Sequence, residues 1–165
     1  MLLALLFGLA IFLADRIIKI FILNNFALGE TRDFIPGVLQ LTYAQNTGMA
    51  FGFLAGHSWI PIVLTPLILG GLGVIVVKNM FPCKVQRLAL VAIMAGGLAN
   101  WVDRLAYGFV VDMFEPVFMR FAIFNLADAF ITVGGIVFVA VYAMAEIRRA
   151  REKRKGQAET ERDSE

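Results

Sequence analysis

One cysteine, one histidine and two serines are all that this 165-residue chain offers of the side chains behind most metal and nucleophile chemistry. Cys83 alone excludes an intramolecular disulfide and a multi-cysteine metal cluster, and His57 alone excludes any two-histidine metal site. No metal and no other cofactor is expected. Of the two serines, Ser164 lies in a charged tail and Ser58 adjoins His57. Adjacent helical residues do not face each other, and no third group orients the histidine, so His57 and Ser58 read as interfacial polar residues. Cys83, beside Lys84 in a basic connection, reads as incidental. Gly70-Gly71-Leu72-Gly73 is not a phosphate loop, because no strand precedes it and no lysine follows at the required spacing; it reads as helix packing. The carboxylates remain as candidates for chemistry.

Apolar side chains are what the chain has in excess. Hydrophobic residues make up 59% of it and its mean hydropathy is +0.77, well above a soluble domain. Four stretches approach the ~20 residues that cross a bilayer: Leu2 to Leu23, Trp59 to Val77, Leu88 to Leu105 and Leu126 to Ala145. If the N-terminus is cytoplasmic, the inner connection and the tail after 147 hold ten lysines and arginines, against three in the outer segments (Arg32, Arg104 and Arg120). That asymmetry places both termini inside. The run Arg148 to Lys155 directly follows an apolar helix and gives way to acids, so it reads as a membrane-flanking anchor rather than a nucleic-acid contact. In the first outer segment, Phe34-Ile35-Pro36-Gly37 predicts a turn and Val38 to Gln45 an alternating strand; Phe109 to Phe114 has the composition to add another. The expected fold is an all-α polytopic membrane protein of four transmembrane helices, with a small extracytoplasmic β-sheet on the outer membrane face. Residues 1–147 form the membrane domain and 148–165 a cytoplasmic tail, disordered from 151.

With this topology the polar residues of the helices collect at one depth. Asp15 and Lys19 fall in the outer half of the first helix, Asn100, Asp103 and Arg104 at the outer end of the third, and Asp128 at the outer start of the fourth. An ionised residue at a helix centre costs ~2.5–3.5 kcal/mol to insert, against ~0.3–0.6 gained per large apolar one. Asp15, Arg16 and Lys19 should therefore face protein, a wet cavity or the interface. Asp15 and Lys19 are four apart, and Asn100, Asp103 and Arg104 share a face with Gly96 and Gly97 one turn inward. Buried ion pairing among Asp15, Lys19, Asp103 and Arg104 is as good a reading of these four as a functional one.

Asp112, in the last outer loop, and Asp128 have no basic neighbour at helical spacing. Two carboxylates brought together share a proton; the ionised one can then activate water while the protonated one donates to a carbonyl oxygen, which is amide hydrolysis without metal or covalent intermediate. Taken singly, spacing favours plainer roles: a helix N-terminal acid for Asp128 and an ordinary loop acid for Asp112.

Five segments in order carry a resemblance: Asp15-Arg16-Ile17-Ile18-Lys19, Asn46-Thr47-Gly48-Met49-Ala50-Phe51, Gly96 to Arg104, Gly108 to Asp112, and Phe124-Asn125-Leu126-Ala127-Asp128. In these the chain resembles bacterial lipoprotein signal peptidase, also called signal peptidase II. The resemblance implies an aspartic endopeptidase of the bacterial cytoplasmic membrane, in no need of a cofactor, that removes signal peptides from diacylglyceryl-modified prolipoproteins on the N-terminal side of the lipidated cysteine. It implies Asp112 and Asp128 as the catalytic pair, Asn46, Gly48, Asn100, Arg104 and Asn125 as residues lining the site, and Asp15, Lys19 and Asp103 as their support. The active site would lie near the extracytoplasmic leaflet of a monomer in contact with membrane lipid, where Phe51, Phe53 and Phe114 could touch the substrate's lipid. Met49 departs from the smaller residue common in the family, and Met113 to Ile123 matches no family motif. The competing reading is a small proton-coupled membrane transporter, with intramembrane charges as relays. It needs polar groups at the midplane or in both leaflets, and the inner halves of these helices are nearly uncharged.

Overall fold

A computed structural model of the chain describes residues 2–48 and 59–162. Its elements in chain order are α1 (Leu2–Asn25), β1 (Thr31–Ile35), β2 (Leu39–Asn46), α2 (Trp59–Val77), α3 (Lys84–Tyr107), β3 (Val110–Pro116) and α4 (Leu126–Arg162). By length and composition α2, α3 and the Leu126–Arg154 part of α4 can cross a membrane. At 24 residues α1 is as long as α3, but it carries Asp15, Arg16 and Lys19. Large apolar side chains such as Leu67 and Ile136 are well exposed on α2 and α4, as expected where the surrounding solvent is lipid.

Helix α3 is the centre of the bundle and packs against the other three. Its approach to α4 is set by two glycines: a Cβ on Gly96 would lie 2.6 Å from the Ala127 carbonyl oxygen, and one on Gly134 would lie 2.9 Å from that of Ala89. Small residues here let the backbones touch. The glycine run of α2 does not serve that purpose, contrary to its sequence reading: Gly70 and Gly71 face open space, and a Cβ on Gly73 would meet only the end of Met94. Helix α2 meets α3 instead through Leu69, whose Cδ2 would lie 3.1 Å from a Cβ on Gly97, and through a polar contact. Pro66 lies inside α2 and has no N–H to give the carbonyl four residues earlier, that of Ile62. The Trp101 indole N–H donates to that carbonyl at 2.8 Å, satisfying a group that lipid could not.

The sheet is antiparallel, in the order β1-β2-β3. The expected turn lies between β1 and β2, with Gly37 at φ +73°, a conformation that suits glycine. Strand β1 was not foreseen; all five of its residues are exposed, so it carries no alternation to read. Val111 and Met113 of β3 join Tyr43 of β2 and Ile22 and Phe26 in a buried cluster that seats the sheet on the end of α1. Strand alternation then turns Asp112 to the opposite face.

Two further outcomes differ from the sequence reading or fall beyond it. Helix α4 continues to Arg162, where disorder was expected from 151; Arg148–Glu152 and Glu146–Arg149 pairs at helical spacing favour the extension. The expectations for Met49, Phe51, Phe53, His57 and Ser58 fall outside the described residues.

Candidate active site

Local structure delivers the two acids to one place. Gly108 ends α3 at φ +80°, its N–H donating to the Arg104 carbonyl, a left-handed cap that turns the chain directly into β3. Asp112 follows, opposite Ala44 of β2; Asn46, two residues on, is its diagonal neighbour on the same face. After β3 the chain makes an excursion through residues 117–123 and is pinned back by a bridge between Phe114 and Phe124. That bridge sets Asn125 beside Asp112. Asn125 caps α4: its Oδ1 accepts from the Asp128 N–H at 2.9 Å, while Asp128 Oδ2 accepts from the Asn125 N–H at 3.3 Å. The reciprocal pair is a capping box, and it fixes the Asp128 carboxylate at the head of the helix.

Three asparagines link the acids. Asn125 Nδ2 donates to Asp112 Oδ1 at 2.6 Å and to Asn100 Oδ1 at 3.1 Å. Asn100 Nδ2 donates to Asp128 Oδ1 at 2.7 Å, and Asn46 Nδ2 to Asp112 Oδ2 at 3.0 Å. Burial, and after it the charge of Asp128, push the Asp112 carboxyl up to about 7, against the opposing pull of the Asn46 and Asn125 hydrogen bonds and of Lys19. Arg104 closes one side, donating to the Gly48 carbonyl at 3.0 Å and to that of Asn100 at 3.3 Å; the Gly48 N–H in turn donates to Asn46 Oδ1 at 3.0 Å.

Beneath this layer lies a buried charge cluster. Lys19 Nζ is 2.8 Å from Asn100 Oδ1, Asp15 Oδ2 and Asp103 Oδ2. The Asp15 contact is close but poorly aligned for a hydrogen bond. Arg16 pairs with Asp103, whose other oxygen accepts from the Val111 N–H at 3.3 Å. Asp15 Oδ1 accepts from the Ala127 N–H at 2.9 Å. Two acids and two bases thus tie α1 to α3, β3 and α4 with no formal net charge. The ion pairing expected of Arg104 falls to Arg16 instead. Sequence reading gave Arg16 no place in the site, although its position three residues before Lys19 puts the two on one helix face.

Every residue singled out from the sequence for the site therefore converges at one end of the bundle, but not with equal access. Asp128, Asn46, Asn100 and Arg104 border a pocket of about 390 Å³ between α3, α4 and the 121–124 segment. Asp112 is only 2% exposed and lies behind Asn46. Asn125 is fully buried, with its amide group spent on Asp112, Asn100 and Asp128, which differs from the site-lining position expected of it. A larger recess of about 850 Å³ lies elsewhere, along Gln40, Glu115 and residues 116–122, and holds neither acid.

A family model described as signal peptidase (SPase) II matches residues 7–144. Two curated relatives named lipoprotein signal peptidase, from Streptococcus pyogenes serotype M2 (strain MGAS10270) and serotype M5 (strain Manfredo), are 42% and 41% identical over 125 residues, covering 76% of this chain and 82% of each relative. A solved structure described as a bacterial membrane enzyme, determined by the in meso method at 2.3 Å resolution, superimposes with a TM-score of 0.82 at 29% identity, covering 86% of this chain and 87% of its own. A second of the same description, at 1.9 Å, gives 0.77 at 29% identity over 84% and 91%. The family match runs from the first turns of α1 to the apolar end of α4 and so takes in both acids and the charge cluster beneath them: this chain is a membrane protease of the signal peptidase II family.

Proposed function

We propose that the chain is an aspartic endopeptidase of the bacterial cytoplasmic membrane that cleaves diacylglyceryl-modified prolipoproteins on the N-terminal side of the lipidated cysteine, with Asp112 and Asp128 as its catalytic pair. The observation that carries this reading is the convergence of two acids, from a strand and from a helix start, on one asparagine beside an apolar pocket. Helix α1 is the fourth membrane span, both termini are cytoplasmic, and the site lies near the extracytoplasmic leaflet, where a substrate's cleavage site leaves the hydrocarbon. The relatives' name, lipoprotein signal peptidase, supports the substrate class.

In this mechanism the pair holds one proton. The ionised acid takes a proton from water as the water oxygen attacks the scissile carbonyl carbon, and the protonated acid donates to the carbonyl oxygen. On collapse, the first acid returns its proton to the leaving nitrogen, the second regains one from the diol, and the C–N bond breaks with the pair restored. Asp128 faces the pocket; Asp112 reaches the carbonyl once the substrate displaces its bond to Asn46. Arg104, Asn46 and the Gly48 backbone hold the substrate chain, whereas Asn100 and Asn125 position the acids, and Asp15, Lys19 and Asp103 anchor Asn100 and the start of α4. Asp112→Asn and Asp128→Asn should each lower cleavage of a diacylglyceryl-modified precursor in membranes by roughly 10²–10⁴-fold or more, while both variants still insert. Substantial residual cleavage by either would remove the pair from the mechanism.

A further inference from the structure

At the end of the bundle opposite the acids, α1, α2 and α3 enclose a second, almost wholly apolar groove of about 580 Å³, walled by Gly8 and Phe12, by Gly73 and Val77, and by Val91 and Leu98. We infer that this groove binds an anionic phospholipid, one acyl chain lying along it and the phosphate meeting Lys78, Lys84 and Arg87. The span fits: the α1 wall runs from Ala4 to Phe12, about 12 Å of helix, close to the hydrocarbon depth of one leaflet.

Charge at the mouth selects the occupant. On α3 the groove-lining Val91, Met94, Ala95 and Leu98 continue back through Arg87 and Lys84 at three- and four-residue spacing, so the apolar stripe ends in cations on the same face. Lys78 follows Val77, the last groove residue of α2. Lys78 and Lys84 are exposed, and Arg87, half-buried, donates to Asn79 Oδ1 with other N–H groups to spare. No acid occurs in residues 2–14 or 59–90 to neutralise them. An anionic headgroup complements this mouth. A substrate's signal peptide, which begins with a basic segment, would be repelled by it. The mouth is also remote from the acids, since Lys84 and Asn100 are about 24 Å apart along α3.

The test is native mass spectrometry of the full, delipidated chain in mild detergent, titrated with phosphatidylglycerol or phosphatidylcholine of identical acyl chains. The Asp112→Asn variant serves as well as the wild type, so the outcome does not depend on the proteolytic reading. The expected result is preferential retention of phosphatidylglycerol. In Lys78→Gln/Lys84→Gln that preference should fall by roughly fivefold per lysine, with precursor cleavage in detergent unchanged. Gly73→Leu, whose Cβ would sit 3.7 Å from the Met94 methyl, fills the groove and should lower retention of both lipids. Equal retention of the two lipids by the wild type, or an undiminished preference in the lysine double variant, would overturn the inference. So would photocrosslinking of a precursor's signal peptide from Leu9 of α1.

Discussion

Pushed up to about 7 by burial and by the charge of Asp128, the Asp112 carboxyl couples the stability of the fold to pH. Its folded-state value lies above the ordinary carboxylate value of about 4, so the folded protein binds the proton more tightly. The associated stability is complete below about pH 4 and is lost as pH rises through about 7, at about 1.4 kcal/mol per pH unit within that window. Asparagine mimics the protonated acid. The thermal midpoint of Asp112→Asn minus that of wild type should therefore grow from near zero at about pH 4 to a plateau above about 7; a difference that stays flat would mean that Asp112 is ionised throughout. Lys19 makes the opposite case. Its ammonium faces three oxygens in full burial, and removing one partner of such a cluster costs about 3–5 kcal/mol. Lys19→Met should show a loss of that size in detergent unfolding. Asp15→Asn in the same chain should recover part of it, because one uncompensated carboxylate leaves with the ammonium. That neither Asp112 nor Asp128 has a basic neighbour at helical spacing was legible; that Lys19, from another helix, comes near enough to act on Asp112 was not. The Arg16–Asp103 pair was not, because it depends on packing between helices 87 residues apart in sequence.

At the scale of elements, the α2–α3 contact offers a thermodynamic cycle. Trp101 satisfies the Ile62 carbonyl only because Pro66 leaves it free. Trp101→Phe should destabilise the protein by about 1–3 kcal/mol, the cost of a buried acceptor left without a partner. Pro66→Ala restores the backbone donor, so in that background the same substitution should cost measurably less; equal losses in both backgrounds would assign Trp101 to packing alone. The four helices were readable because runs of apolar residues near bilayer length need no tertiary information. Strand β2 was readable through its alternation, and β3 through its β-branched and aromatic content. Strand β1 and the polar end of α4 lack either signal, the first deriving its shape from pairing with β2 and the second from helix propensity and ion pairs along its surface.

For the whole molecule, the distribution of lysine and arginine proposes an orientation that labelling can test, whereas the convergence of the motif segments required the fold, since the Phe114–Phe124 bridge and the α3–α4 glycine contact are what fold residues 96–128 back on themselves. The position of α1 remains the decisive element of the topology. Its three charges oppose insertion when it is considered alone, but in the bundle Asp15, Arg16 and Lys19 are neutralised together with Asp103. If α1 spans, four crossings place both termini and the α2–α3 connection on one side. Cys83, the single cysteine, lies in that connection and is partly exposed, so it reports on the arrangement without any engineering. A membrane-impermeant maleimide should label it in inverted vesicles and not in spheroplasts. In a Cys83→Ser background, Phe118→Cys, in the exposed outer segment, should show the reverse. An N-terminal epitope should be shielded from protease in spheroplasts, on the same side as Cys83. An epitope digested there, with Cys83 still labelled from the inner side, would leave α1 on the outer surface and reduce the bundle to three spans.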